Sequence, residues 1–241
     1  MSVLTLQLAG PLQSWGATAR FSRRTTENAP TKSGVLGLLA AALGIARDAD
    51  LGIAELARLR FGVRIDQPGT RVRDFQTAHD LDTDESMPLS ERFYLADAVF
   101  VAAVQGEEGL VERLYEALRH PVYLPYLGRR SCPPARPVEL GTHPGDDLNG
   151  ALSAEPWRAA EWYQRRRNRE QDISLTLLSD APADAKSSGS SVRDQPLSYD
   201  PRHRRYALRP VHTSSVTVHN PHARAPRSIP PHDPTSHLDL A

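Results

Sequence analysis

The sequence predicts an α+β fold of the ferredoxin-like (RRM-like) kind, with an inserted arm and a smaller C-terminal β-rich region. Three observations lead there. Strand-like segments alternate with two apolar-periodic helical segments over residues 1–143, in the order β-α-β-β-α-β. That order makes an antiparallel sheet with two helices on one face. A polar, mixed-charge stretch interrupts the order between the second and third strands, and the segments after residue 148 are strand-like but less regular. With 241 residues, 39% of them hydrophobic, the chain can build one sizeable core and an appendage.

The elements follow in chain order. "VLTLQLAG" (3–10) is branched and loosely alternating, hence a strand, and "GPLQSWG" turns the chain. "ARFSRRTTENAP" has no period and reads as loop. "TKSGVLGLLAAALGI" (31–45) is the clearest helix, with Thr31 or Ser33 as its cap. "LARLRFGVRID" (56–66) runs from a helix end into a strand. Residues 68–92 form the polar insertion, a kind of segment that is uncommon inside a compact domain unless it serves a function. "FYLADAVFVAAV" (93–104) reads as one strand. "EEGLVERLYEALRH" (107–120) carries Leu110, Leu114 and Leu118 on a helical stripe, and a strand follows at 138–142. "DISLTLLSD" (172–180) and "RRYALRPVHTSSVTV" (204–218) are strands separated by a flexible "APADAKSSGSSVRDQP". The expected division is 1–148 for the main domain, 149–218 for the β-rich subdomain and 219–241 for a disordered Pro/His-rich tail.

Composition excludes several functions. Formal net charge is zero, so the whole-molecule field attracts no polyanion and only a local patch can. Of the 29 basic residues only Lys32 and Lys186 are lysine, and the remaining guanidiniums are planar forks suited to phosphates and base faces. One cysteine allows neither an internal disulfide nor a thiolate zinc cluster. The tail histidines 219, 222, 232 and 237 lack metal-ligand spacing, so no metal and no cofactor is expected. No apolar run is long enough to span a membrane, and no signal peptide is seen at "MSVLTLQLAGPLQSWG", which predicts a cytoplasmic protein. "APTKSG" lacks the spacing of a phosphate-binding loop, although Lys32 and the first-turn amides of its helix can hold a phosphate.

The segment "PYLGRRSCP" (125–133) is the most telling. Gly128 lets the backbone bend or approach closely, while Arg129 and Arg130 project apart and must meet water, carboxylates or phosphates. Tyr123 and Tyr126 offer faces on which a base can stack. Cys132 beside two arginines is either a thiol of lowered pKa or a small buried residue. The insertion adds a second set, Arg71, Arg73, Phe75, Gln76 and His79. Basic groups interleaved with aromatics are how single-stranded RNA is gripped, while an ordinary exposed hairpin is the plain alternative. The run "WYQRRRNRE" (162–170) reads as a solvated helix face.

Together, "LAGPLQSWG", "PTKSGVLGLLAAALGI", "RDFQTAH", "FYLADA" and "PYLGRRSCP" resemble the CasD family of type I-E CRISPR Cascade subunits, within the repeat-associated mysterious protein superfamily. The likeness covers residues 3–143. It implies that 68–92 is a protruding thumb hairpin packed toward the complex's backbone subunit, and that another side meets the large subunit. It also implies that the 5′ handle of the CRISPR RNA lies in a groove lined by Trp15, Lys32, Ser33, Leu127, Gly128, Arg129, Arg130 and Ser131, with target DNA met only indirectly. The implied protein is a non-catalytic RNA cap. The rivals are a metal-independent endoribonuclease that processes precursor CRISPR RNA, as in some type I-C relatives, and a protein-binding scaffold. Neither lysine has an adjacent histidine, and His79 and His120 stand alone, so an acid–base pair is not assembled from the sequence.

Overall fold

Leucines on one side of an alternating first strand and valine on the other decide how the layers stack. The computed structural model describes residues 1–17, 23–181 and 190–224. Its first strand, β1 (Ser2–Ala9), puts Leu4, Leu6 and Leu8 into one apolar cluster and Val3 into another on the opposite face. There follow β2 (Leu12–Gln13), β3 (Arg23–Arg24), α1 (Lys32–Ala42), α2 (Asp50–Ala57), β4 (Arg60–Gln67), β5 (Thr70–Gln76), β6 (Ser90–Ala96), β7 (Val99–Gly106), α3 (Glu108–Arg119) and β8 (Glu139–Pro144). The second half holds α4 (Leu148–Ala154), α5 (Glu161–Arg166), β9 (Asp172–Asp180), β10 (Ser190–Ser198) and β11 (Arg205–His219).

The main sheet has the order β10-β11-β9-β4-β7-β1-β8, antiparallel throughout. Within it, β8-β1-β7-β4 is the order that the β-α-β-β-α-β plan makes when each helix crosses over one strand. Leu110, Leu114 and Leu118 of α3 and Leu36 and Leu39 of α1 pack on the Leu4 face. Among the described residues, no helix is long and apolar enough to cross a membrane.

The structure departs from or adds to the sequence reading at several places. The segment 93–104 is two strands in different sheets, because Asp97 takes a left-handed conformation (φ 56°) and turns the chain between β6 and β7. Strand β6 leaves the main sheet to pair with β2, β3 and β5. Helix α4 was not legible; Asp147 caps it, and Leu148, Ala151 and Leu152 cover Val3 and Val101 on the face opposite α1. "SSVRDQP", expected as flexible linker, is β10, and two register shifts accommodate the buried Pro196. β9 also pairs with β4, so the strands β9, β10 and β11 of the C-terminal β-rich region are continuous with the main sheet. The first residues of the expected Pro/His-rich tail are built into the fold, with His219 as the last residue of β11. Asn220 is fully buried and donates to the carbonyls of Gln164, Arg167 and Glu170, whereas 225–241 lie outside the described residues.

Two buried ion clusters tie the halves together. Arg64, with no exposed surface, uses all five donors on both carboxylate oxygens of Asp66 and on the carbonyls of Leu152, Glu155 and Pro156. Burial pushes the Asp66 carboxyl above its usual pKa, against the pull of Arg64. Arg209 of β11 donates to both oxygens of Asp194 on β10 and to Asp180 on β9, each at 2.8 Å.

Candidate nucleic-acid interface

The Gly128 loop is built on a backbone conformation that side chains resist. Gly128 sits at φ +84°, and a Cβ there would lie 1.8 Å from the carbonyl oxygen of Ser14. On either side, the Leu127 carbonyl accepts from the Ser14 amide at 3.1 Å and the Leu127 amide donates to the Cys132 carbonyl at 2.7 Å. The loop is therefore clamped to the chain just after β2, and Arg129 emerges at a fixed place. Gly128→Ala is expected to destabilise the protein by roughly 2–4 kcal/mol, through left-handed strain plus the clash. Thermal or denaturant unfolding of the variant checks this, and a loss below about 0.5 kcal/mol would refute the clamp.

Arg129 lies with its guanidinium carbon 4.7 Å from the centre of the Tyr94 ring and donates through Nη2 to the Arg24 carbonyl at 2.9 Å. Its Nη1 is buried without a hydrogen-bond partner among the described residues, and so is Nε of Arg92. Arg130 is exposed. The β3–β6 register sets Arg24 beside Arg92 and Arg23 beside Glu91. Among the described residues, no carboxylate pairs with Arg24, Arg92, Arg129 or Arg130. Asp74 lies opposite Arg92 across β5–β6 but accepts from Gln76 instead. Gathering like charges with unused donors costs energy that an anion would return.

The arm carries this strip outward. β5 and β6 form a hairpin in which Arg71, Arg73 and Phe75 alternate on one face opposite Leu95, Phe93 and Glu91. The Arg73 guanidinium covers Phe75 at 4.7 Å, and Arg23 covers Phe93 at 5.5 Å. Arg71 reaches back to the Thr26 carbonyl and the Asn28 side chain, both at 2.9 Å, which places it at the arm's base. Gln76 is on the opposite face. His79 sits in the tip, bridged to Ser86 and 3.9 Å from Asp84. Asp80 organises that tip by accepting the amides of Asp82 and Thr83, and these bonds hold its carboxyl below the usual pKa.

Several residues expected in the groove lie elsewhere. Trp15 is wholly buried and donates to Gln13, so its ring supports Gly34 and Gly128 instead of stacking on a base. Leu127 is equally buried. Lys32 is only 4% exposed: its Nζ is 3.2 Å from Asp180, and burial pulls its pKa down although Asp180 opposes this. Its backbone amide, expected to receive a phosphate, is taken at 2.7 Å by Asp194, a carboxylate from 162 positions away that no local pattern reveals. Ser33 is buried under the Tyr199 hydroxyl, which donates to its carbonyl at 2.6 Å. Tyr126 is half-buried. Tyr123 is exposed at the other end of α1, where its amide bonds the Ala41 carbonyl. The residues that sequence reasoning missed are Arg23, Arg24, Arg92 and Tyr94; adjacent arginines in "FSRRTT" were the available signal.

The family model described as CRISPR-associated protein (Cas_Cas5) matches residues 3–212. The chain belongs to the Cas5 family. The "CRISPR system Cascade subunit CasD" of Escherichia coli (strain K12) is 38% identical over 170 residues, which are 63% of this chain and 75% of that one. A chain of a "CRISPR RNA-guided surveillance complex" superposes with a TM-score of 0.73 at 30% identity, covering 93% of this chain and 94% of its own. A structure titled "Crystal structure of Cas protein" gives 0.67 at 34% identity, covering 94% and 100%.

In this Cas5 protein Cys132 is fully buried and close-packed behind the loop, and burial raises its thiol pKa despite the nearby Arg129. It is therefore expected to react with a thiol reagent at least about tenfold more slowly in the native state than after unfolding. Equal rates in the two states would show the loop to be open. Among the described residues no cluster of His, Cys, Asp and Glu can hold a metal. The run 162–170, expected as a solvated helix face, is helical only to Arg166 and buries Gln164, while Arg165 pairs with Glu161 and Arg167 with Glu170.

Proposed function

We propose that this Cas5 protein is a CRISPR RNA-binding subunit of a Cascade-type surveillance complex, capping the 5′ handle of the guide without cutting it. The observation that carries the reading is the strip of Arg24, Arg92, Arg129 and Arg130, fixed by Gly128 and left without carboxylate partners among the described residues. Guanidiniums with free donors neutralise phosphates, and Arg23, Arg71 and Arg73 continue the track along the arm. The E. coli relative, a Cascade subunit by name, and the superposed chain of an RNA-guided surveillance complex support the same role. The arm tip exposes Leu81, Met87 and Leu89, an apolar surface suited to the neighbouring backbone subunit, with the large subunit on another side.

The non-catalytic part of the proposal rests on where the candidate groups lie. Lys32 is held in an internal ion cluster, His79 is at the arm tip and His120 ends α3, while Lys186 lies outside the described residues. Cleavage at a 2′-oxygen needs a base and an acid aligned on one phosphodiester, and these three are on separate elements. Two measurements test the whole reading. Co-expression with neighbouring subunits is expected to yield complex containing guide RNA, and labelled repeat RNA incubated with the purified protein in EDTA is expected to stay intact. Handle-specific cleavage would establish the nuclease instead. RNA-free complex with crosslinks to protein alone would establish a scaffold.

A further inference from the structure

We propose a second nucleic-acid contact on this chain: the turn between β10 and β11, together with Arg47, binds the phosphate backbone of a double-stranded nucleic acid. It goes beyond the handle-binding reading and shares no residue with the Arg129 strip. The turn reads "DPRHRR", and Arg202, His203, Arg204 and Arg205 are all exposed. Asp200 shapes it by accepting the Arg202 amide at 2.8 Å through its side chain and the His203 amide at 3.0 Å through its carbonyl. That occupation draws the turn's own carboxylate into the backbone and leaves the guanidiniums outside. Arg47, exposed on the segment between α1 and α2, faces the turn across an open cleft of about 510 Å³ lined by Arg47, Asp48, Asp200, Pro201 and Arg202. Arg47 and Arg204 both bear on the Tyr206 hydroxyl, whose pKa burial raises against their pull.

Among the described residues, none of Arg47, Arg202, Arg204 and Arg205 is ion-paired, whereas Arg113, Arg119, Arg165 and Arg167 elsewhere on the surface each have a carboxylate partner. In a chain of zero net charge, such a local excess of cations is the footprint of a polyanion. The aromatic groups decide which polyanion. A single strand is held by bases stacked on open rings, but Tyr199 and Tyr206 are half-buried against each other, 6.2 Å apart, and the Tyr199 hydroxyl is tied to Ser33. What the turn offers is charge alone, without base readout. That suits a duplex, whose phosphates face outward while its bases stay stacked inside.

The test uses the full chain, a mixed-sequence DNA duplex and single-stranded handle RNA, with affinity measured across a salt series. The triple variant Arg202→Ala, Arg204→Ala, Arg205→Ala is expected to bind duplex about tenfold more weakly at low salt and to shallow the log–log salt slope by roughly 2–3. Its handle RNA affinity should stay within about twofold, while Arg129→Ala with Arg130→Ala should show the converse pattern. A control triple, Arg113→Ala, Arg119→Ala, Arg165→Ala, makes the same charge change at ion-paired sites and should leave duplex binding unchanged. The proposal is overturned if duplex binding survives the turn variant, if the control weakens it equally, or if handle RNA is lost in parallel with duplex. Failure of handle binding in the wild-type protein would count against the proposed function and leave this duplex arm standing.

Discussion

Arg129→Ala combined with Arg130→Ala is expected to weaken handle RNA binding by roughly 30- to 150-fold, about 2–3 kcal/mol, while the protein stays folded. Each arginine supplies charge-assisted bonds to phosphate, worth more than neutral ones, and Arg129 is already held in place by Gly128, Tyr94 and the Arg24 carbonyl. Little ordering entropy remains to be lost on binding, so its removal forfeits most of the contact energy. Two lost phosphate contacts should also shallow the salt dependence by about 1.4 on a log–log scale for single-stranded RNA. Removing Arg129 forfeits a cation–π contact and one backbone bond, about 1 kcal/mol of stability; Arg130 is exposed and costs little. A binding isotherm and salt series on the purified double variant provide the check. Affinity within about twofold of wild type would sink the assignment of this loop to RNA.

Asp194→Ala is expected to produce the largest loss of stability, about 3–5 kcal/mol. The Asp194 carboxylate accepts both Nε and Nη2 of Arg209 and the first amide of α1, with no exposed surface. Its removal leaves Arg209 and Lys32 sharing Asp180 alone, in a site where desolvated cations are costly. At this chain length each kcal/mol corresponds to about 2–4 °C, so the melting temperature should fall by roughly 6–20 °C. The sheet itself makes the further prediction that melting stays a single transition, because β9 is paired to β4. A two-step melt, with the C-terminal strands lost first, would mean that the strands after residue 148 behave as a separate unit.

Much of the fold was legible because its signals are local. The strand over 172–180 coincides with β9, the leucine stripe of 107–120 is the buried face of α3, and Thr31 caps α1 by accepting the Gly34 amide. Alternation, helical period and caps depend on neighbours within a turn or a pleat, so the sequence carries them directly. The 93–104 segment shows the limit. Its apolar run continues through Asp97, and only the placement of β6 against β5 makes a turn there necessary. Likewise, β10 contains a proline and reads as linker until bulges and a pairing with β11 accommodate it.

The site divides along the same line. Which residue types would be needed was determined by the sequence alone: a glycine able to take a left-handed turn, two arginines that cannot share a core, and a polar arm with alternating cations and aromatics. Which of them gather was decided by tertiary structure. Arg24 and Arg92 join Arg129 because β3 lies beside β6, a pairing of segments some 68 positions apart in the chain. Lys32 is withdrawn from the surface because carboxylates from β9 and β10 reach it first. Charge at a distance along the chain leaves no periodic trace, and burial is a property of the assembled layers, so the difference between an open guanidinium and a neutralised ammonium appears only when the sheet is complete.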